Sequence, residues 1–153
     1  MIRSRSTLRR LALAIAVSAL VTGACARRPR ATEGTHTKSK VAFASMSFGD
    51  ALDRARSENR FVMVDVYTDW CGWCKKLDAE TFGDLRVAEA LKDTISIRVN
   101  AEKGGEAVAE KYGVRGFPTV LFLSGSGDVV RKVEGYVDAD EMLRIVQSLR
   151  KPA

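Results

Sequence analysis

The residues best able to do chemistry in this sequence are two cysteines, Cys71 and Cys74, separated by two residues. Such a pair can cycle between a dithiol and a disulfide, supply half of a tetrahedral zinc site, or act as a structural crosslink. Zinc would need two further Cys or His ligands, and only Cys25 and His36 remain, both close to the N-terminus. A crosslink that closes so small a ring constrains the unfolded chain little. The redox pair is therefore the favoured interpretation.

The pair lies where a strand pattern changes to a helical pattern, so Cys71 is expected at the start of a helix. Unpaired backbone N–H groups and the positive end of the helix dipole stabilise a thiolate at that position. We therefore expect Cys71 to attack a substrate disulfide. We expect Cys74, one helical turn further on and less exposed, to resolve the mixed disulfide. This cycle requires no bound cofactor and no metal.

One carboxylate interrupts an apolar run just before the pair. The run, FVMVDVY at 61–67, predicts a central strand with Asp65 in its middle, six residues before Cys71. A charged group in a buried strand has a desolvation cost that is rarely present without a reason. Burial would also raise the pKa of this carboxyl towards the range of a general base. We expect Asp65 to serve the pair, with a structural ion pair as the alternative.

The elements that position these residues follow from apolar periodicity and end signals. The predicted order is α-β-α-β-α-β-β-α, which indicates an α/β domain. Ser47 and Asp138 are predicted to cap the first and last helices. The remaining elements are strands at 61–67, 95–99, 119–123 and 129–133, and helical stretches after the pair, at 84–91 and at 106–112.

The element order, the motif W-C-x-x-C-K at 70–75 and the segment R-G-F-P-T at 115–119 together resemble the thioredoxin family, over about residues 47–150. Within this family, the motif is similar to exported thioredoxin-like domains of the thiol-disulfide interchange type. The resemblance implies a thioredoxin-like fold with a central mixed sheet flanked by helices. It also implies a thiol-disulfide oxidoreductase that reduces protein disulfides by dithiol–disulfide exchange.

The resemblance extends to individual site residues. Asp65 matches the family's buried acid, which accepts or relays the proton of the resolving cysteine. Pro118 matches a cis-proline whose loop faces the cysteines and offers backbone groups to a substrate. Arg98 matches the buried lysine that partners the acid, although an arginine does not deprotonate. The predicted substrate groove also includes Trp70, Gly72, Trp73 and Phe117.

Trp73 departs from the family pattern, because thioredoxins usually have proline at this position. Packing and substrate contact both remain open for its side chain. The residues between the cysteines help to set the redox potential, so the choice between reductant and oxidant also remains open.

The first 26 residues have the layout of a secretory signal. A basic head with four arginines precedes an apolar run at 11–24, which is shorter than the roughly 20 residues of a membrane-spanning helix. The residues LVTGA before Cys25 are similar to a bacterial lipobox, where the cysteine is lipidated, but ordinary signal cleavage is the alternative. We expect an exported, periplasmic or cell-envelope protein that is anchored through lipid on Cys25.

Charge divides the chain into a basic tether and a domain that is not basic. The first 40 residues contain nine of the 25 Lys and Arg residues but only one of the 19 Asp and Glu residues. We predict a flexible basic tether at 27–40 and a thioredoxin-like domain at 41–153. Because the net positive charge comes only from the signal and the tether, we expect no nucleic-acid partner. The expected partners are protein disulfide substrates and a membrane or soluble thiol electron donor.

Two alternatives from other classes use the same residues. The domain could be a non-catalytic binding or chaperone module that uses the groove beside the pair. It could also be a metallochaperone that binds metal through the two thiolates.

Overall fold

A mixed four-stranded sheet forms the centre of the fold. In the computed structural model, which describes residues 39–150, the strands are β1 (Val62–Tyr67), β2 (Ile95–Asn100), β3 (Thr119–Leu123) and β4 (Val129–Glu134). Their spatial order is β2-β1-β3-β4. Strand β1 is parallel to β2 and antiparallel to β3, and β4 is antiparallel to β3. The predicted α/β class, mixed sheet and hairpin are confirmed.

Five α-helices accompany the strands, one more than the predicted order contains, because the helical segment after the cysteine pair is divided into α2 and α3. The helices are α1 (Phe48–Glu58), α2 (Gly72–Lys76), α3 (Leu85–Ala90), α4 (Glu106–Lys111) and α5 (Ala139–Arg150). The Ser47 hydroxyl oxygen accepts the N–H of Asp50 at 3.0 Å, so Ser47 caps α1 as predicted. The Asp138 carboxylate accepts the N–H of Glu141 at 2.8 Å and caps α5.

Helices cover both faces of the sheet. The side chains of β1 alternate between the two faces, and every residue of β1 is buried, which shows that neither face is open to water. Met63 faces the cluster that contains the apolar residues of α3 and α5. Val62, Val64 and Val66 face a second cluster, which includes Ala51 and Ala55 of α1. The central strand that carries Asp65 is therefore enclosed on both sides.

The sequence did not predict a π-helical turn at Leu77–Thr81, which continues α2 directly. Leu77, Asp78 and Thr81 are all buried in this turn. A π-turn has a wider repeat than an α-helix, and such turns often occur near functional sites. The turn brings a second carboxylate into the interior, next to the helix that carries Cys74.

The segment Ser39–Ala44, which we call the strap, lies against the domain. The N–H of Lys40 donates to the Phe82 carbonyl at 2.7 Å, and the N–H of Ala44 donates to the Ser96 carbonyl at 2.8 Å. Ser39 and Lys40 were predicted as the last residues of a flexible tether. The structure corrects this boundary, because backbone hydrogen bonds fix this end of the segment to the domain.

The other predictions for the N-terminus lie outside the described residues. They concern the signal at 1–26, the tether at 27–38, the lipidation site Cys25, and His36. Within residues 39–150, no helix is both long enough and apolar enough to cross a bilayer.

We predict that Gly125→Ala destabilises the domain. A Cβ at this position in the β3–β4 loop would lie 2.7 Å from both the backbone N and the Cα of Arg56 in α1. Because a helix backbone cannot move away easily, we expect a loss of about 1–3 kcal/mol in the free energy of unfolding, measured by urea denaturation. The control is Gly49→Ala in α1, where the nearest atom to a Cβ, apart from its chain neighbours and the helix backbone, is the Ser47 hydroxyl oxygen at 3.9 Å. Equal stability of the two variants would contradict the prediction.

Candidate active site

Cys71 and Cys74 form a disulfide just beyond the end of β1, with their Cα atoms 5.3 Å apart. Cys71 is the N-cap of α2 and has extended backbone angles. Its sulfur accepts the N–H of Cys74 at 3.0 Å. The predicted placement of Cys71 at a helix start agrees with the structure, and this N–H group is available to stabilise a thiolate in the reduced state.

The predicted difference in exposure between the two cysteines is wrong, since each is 3% exposed. The reason is local packing: Tyr67 and Phe117 cover the pair, and the disulfide holds the two sulfur atoms together. Desolvation within this cluster raises the pKa of the Tyr67 hydroxyl. The assignment of Cys71 as the nucleophile therefore depends on its position at the helix start and not on exposure.

The loop before β3 contributes the predicted groove residues Phe117 and Pro118. The peptide bond between them is cis, in agreement with the resemblance, and Pro118 is buried. Phe117 packs against the cysteine pair, and its ring makes an edge contact with Trp70 at 6.1 Å between centroids. Gly72 is exposed, and apart from its two chain neighbours and the backbone of its own helix, no atom lies within 4 Å of where a Cβ would be.

A polar network holds Trp70 beside the pair. Its indole N–H donates to both carboxylate oxygens of Glu102 at 3.0 Å, although the side chain remains 67% exposed. The N–H of Glu102 donates to the Asn100 side chain, which in turn donates to Asp69, each at 2.9 Å. Sequence reasoning missed Glu102, because the contact joins residues 32 positions apart and has no local pattern.

Trp73 is 58% exposed and packed on one side, so the packing interpretation holds in part, while contact with a substrate stays a prediction. Its ring lies 5.7 Å from that of Tyr136. The ammonium of Lys76 lies 5.1 Å from the Trp73 ring and 4.7 Å from the Tyr136 ring. The Tyr136 hydroxyl donates to Glu80 at 2.7 Å, and this hydrogen bond raises the pKa of Tyr136. No local sequence pattern marks Lys76, Glu80 or Tyr136 as site residues.

Asp65, in the strand that ends just before the pair, belongs to a buried cluster of three charged side chains. The parallel register of β1 and β2 places Asp65 opposite Arg98, whose Nε lies 3.4 Å from the Asp65 carboxylate. The Nη2 of Arg98 pairs with Asp78 of the π-turn. The predicted pairing of Asp65 with Arg98 is present, and Asp78 is a second carboxylate on the same guanidinium that the sequence did not predict.

This cluster contains two carboxylates and one guanidinium with little access to water. The side chains of Asp65 and Asp78 are 4% and 5% exposed, and that of Arg98 is 17% exposed. With both carboxylates ionised, the cluster carries one excess negative charge in a poorly solvated environment. Sequence reasoning missed Asp78, although an acid four residues after Cys74 was visible in the sequence.

A family model described as a thioredoxin-like domain matches residues 48–150. The chain therefore belongs to the thioredoxin-like family. The predicted family and fold are confirmed.

Among curated proteins, the chain is similar to two that are named thiol:disulfide interchange protein DsbD. The protein from Haemophilus influenzae (strain PittGG) is 31% identical over 118 residues, covering 72% of this chain and 20% of that protein. The protein from Escherichia coli (strain K12) is 32% identical over 117 residues, covering 72% and 21%. The chain thus spans about a fifth of the length of these relatives.

Solved structures give the same family. A candidate disulphide-isomerase from Bacteroides thetaiotaomicron is 37% identical with a TM-score of 0.65, and the match covers 75% of this chain and 98% of that chain. The C-terminal domain of Neisseria meningitidis DsbD in the reduced form is 30% identical with a TM-score of 0.56, covering 66% and 92%. Together with the Cys71–Cys74 disulfide, these relatives support the predicted class, a thiol-disulfide oxidoreductase.

We predict that Arg98→Met strongly destabilises the domain, because it leaves two buried carboxylates without their shared guanidinium. The expected loss in the free energy of unfolding is about 3–5 kcal/mol, measured by denaturant titration. The matched control is Arg86→Met. Arg86 also pairs with two carboxylates, Asp84 and Asp140, but its side chain is 62% exposed, so little change is expected. A similar loss in the free energy of unfolding of both variants would contradict the prediction that a buried ion pair matters more to stability than an exposed one.

Proposed function

We propose that this protein reduces protein disulfides outside the cytoplasm, through a dithiol cycle of Cys71 and Cys74. The observation that carries the proposal is the Cys71–Cys74 disulfide at a helix start, just after the strand that carries a buried acid. The interchange activity in the names of the DsbD relatives also supports exchange with other proteins. The direction towards reduction follows the resemblance of Asp65 to the acid of reducing members of the family.

The first step forms a mixed disulfide. The Cys71 thiolate attacks one sulfur of a substrate disulfide, a new S–S bond forms, and the other substrate sulfur leaves as a thiolate that takes a proton. The N–H of Cys74 stabilises the attacking thiolate, since it already donates to the Cys71 sulfur. The exposed rings of Trp70 and Trp73 flank the pair and provide apolar contact for a substrate segment.

The second step releases the reduced substrate. Asp65 takes the proton of the Cys74 thiol, and the Cys74 thiolate attacks the Cys71 sulfur. The mixed disulfide breaks, and the second substrate sulfur leaves as a thiolate, which takes the proton that Asp65 received from Cys74. The substrate gains two electrons and two protons, while the pair becomes the disulfide seen in the structure. A membrane or soluble dithiol donor must then reduce the pair for another cycle.

We predict that Cys71→Ser abolishes insulin reduction, because no nucleophile remains. Cys74→Ser is expected to accumulate a mixed disulfide with substrate, because attack survives and resolution does not. Both outcomes are measured by an insulin turbidity assay and non-reducing gel electrophoresis. Cys25→Ser is the control that keeps the pair and should retain turnover. If Cys74→Ser trapped no substrate and Cys71→Ser did, the roles of the two cysteines would be reversed, while an inactive wild-type protein would favour a binding module.

The proposal includes an anchor at Cys25. The sequence before this cysteine is similar to a lipobox, and the several acyl chains of a bacterial lipoprotein would bind a membrane firmly, since each buried CH₂ contributes about 0.8 kcal/mol. The residues at 27–38 would then connect the anchor to the strap. A flexible chain of this length has a root-mean-square span of roughly 20 Å, which keeps the disulfide near membrane partners.

We predict that the mature protein begins at a lipid-modified Cys25 and partitions with membranes. Mass spectrometry of the N-terminal peptide from membrane and soluble fractions measures both properties. Cys25→Ala should either block processing or release a soluble protein. An unmodified mature chain beginning at Arg27 would show that the anchor is absent, without affecting the proposed reduction by the cysteine pair.

A further inference from the structure

The exposed ring of Trp73 belongs to a group of four side chains from three elements, which we call the Trp73 cluster. Trp73 and Lys76 lie in α2, Glu80 lies in the π-turn, and Tyr136 lies in the connection between β4 and α5. The Trp73 and Tyr136 rings are 5.7 Å apart, and the Lys76 ammonium lies 5.1 Å from the first ring and 4.7 Å from the second. One side of the Trp73 ring is therefore packed, although most of the side chain is exposed.

The backbone on either side of Tyr136 is attached to the cis-proline loop and to the π-turn. The N–H of Gly135 donates to the Pro118 carbonyl at 2.8 Å, and the Thr81 hydroxyl donates to the Val137 carbonyl at 2.6 Å. These hydrogen bonds lie one residue before and one residue after Tyr136. The position of the Tyr136 ring is therefore set by backbone contacts and does not depend on Trp73.

Glu80 connects the remaining side chains of the cluster. It accepts the Tyr136 hydroxyl at 2.7 Å, and its carboxylate lies 3.9 Å from the Lys76 ammonium. The side chains of Lys76 and Glu80 are both exposed, so this ion pair contributes little to the stability of the fold. The main effect of the cluster is to restrict the side chains that meet at the Trp73 ring.

Exposed indole rings belong to the residues directly before each cysteine, since Trp70 precedes Cys71 and Trp73 precedes Cys74. A polypeptide that brings its disulfide to Cys71 can contact these rings with apolar side chains near its own cysteine. A small disulfide has no atoms that extend so far. Contact with a ring also costs less entropy when the ring is already held in one position.

We propose that Tyr136 is a positioning residue that gives the protein a preference for disulfides carried by polypeptides. By holding the Trp73 ring, Tyr136 lowers the entropic cost of contact between that ring and an apolar side chain of the substrate. The inference rests on the proposed function and names the feature that this part of the site recognises, which is an apolar side chain close to the substrate cysteine. A small disulfide such as hydroxyethyl disulfide gains nothing from Tyr136.

The test is a double-mutant cycle in the full chain, with Tyr136→Ala, Trp73→Ala and the variant that carries both changes. Tyr136→Phe keeps the ring and loses only the hydroxyl bond to Glu80, so it should retain most of the wild-type preference. The first measurement is the dissociation constant of an insulin B-chain peptide, with serine in place of its cysteines, for the oxidised protein, by NMR titration. The second measurement is kcat and KM for insulin and for hydroxyethyl disulfide.

The matched control is Tyr112→Ala. Tyr112 is also half-buried, its ring lies 5.8 Å from that of Phe48 and 5.1 Å from the Lys111 ammonium, and its hydroxyl donates to the Gly127 carbonyl at 3.0 Å. These contacts join α1, α4 and the β3–β4 loop, and they include no member of the Trp73 cluster. Loss of ordinary packing around a tyrosine should appear in both Ala variants, whereas loss of substrate contact should appear only in Tyr136→Ala.

Tyr136→Ala should weaken peptide binding and raise KM for insulin by about three- to tenfold with little change in kcat, the range expected when one held side chain becomes mobile. The ratio of kcat/KM for insulin to kcat/KM for hydroxyethyl disulfide should fall by the same factor. In the Trp73→Ala background, Tyr136→Ala should have no further effect, because the ring through which it acts is gone. Tyr112→Ala should keep the wild-type ratio.

Four results would each overturn the proposal. They are an unchanged peptide dissociation constant in Tyr136→Ala, an equal fall in kcat/KM for the two disulfides, equal effects of Tyr136→Ala and Tyr112→Ala, and a full effect of Tyr136→Ala in the Trp73→Ala background. Absence of peptide binding to the wild type would overturn it as well. If Tyr136→Ala does not fold, Tyr136→Leu, which also removes the ring, takes its place with the same criteria.

The two measurements separate this inference from the proposed function. The peptide titration needs no turnover, so it decides the role of Tyr136 even if the wild-type protein reduces neither disulfide. Wild-type inactivity towards both disulfides would contradict the proposed function, whereas weaker peptide binding by Tyr136→Ala would still support the positioning role. Insulin reduction by Tyr136→Ala with wild-type KM would overturn this inference and leave the proposed function intact.

Discussion

The buried ion pairs of Arg98 connect the parts of the molecule on which the active site depends. Through this one guanidinium, β2 is joined to Asp65 of the central strand, to Asp78 of the π-turn that follows α2, and to the ring of Phe43 in the strap. A buried charge that loses its partner is strongly destabilising, so these elements must keep their relative positions. The helix that presents the two cysteines is thereby held to the sheet by charge as well as by apolar packing.

The disulfide is buried, but exposed aromatic rings belong to the residues next to it in the chain. The two cysteines are almost completely covered, whereas Trp70, directly before Cys71, and Trp73, between the cysteines, are more than half exposed. Each ring is nevertheless held in place, Trp70 by Glu102 and Trp73 by Tyr136 and Lys76. A partner that binds these rings meets a surface whose side chains have already lost much of their freedom, which reduces the entropic cost of association.

Most of the fold and the chemical centre could be predicted from the sequence, because their signals are local. The apolar run around Asp65, the capping residue Ser47 and the Cys-x-x-Cys spacing each lie within a few neighbouring residues. The π-turn, the contact between Trp70 and Glu102, and the docking of Ser39 and Lys40 could not be predicted in this way. They depend on which distant segments meet after folding, as the pairing of Arg98 with Asp78 across 20 positions illustrates.

The two cysteines lie in the segment that connects β1 to β2, and this position affects the order in which the disulfide and the sheet can form. Parallel strands can pair only after the long connection between them has closed, and this slows folding. The cysteines, in contrast, are three residues apart and can meet in a chain that has no structure. Oxidation of the pair therefore does not have to wait for the sheet, and a newly made chain can begin to fold with the bond either open or closed.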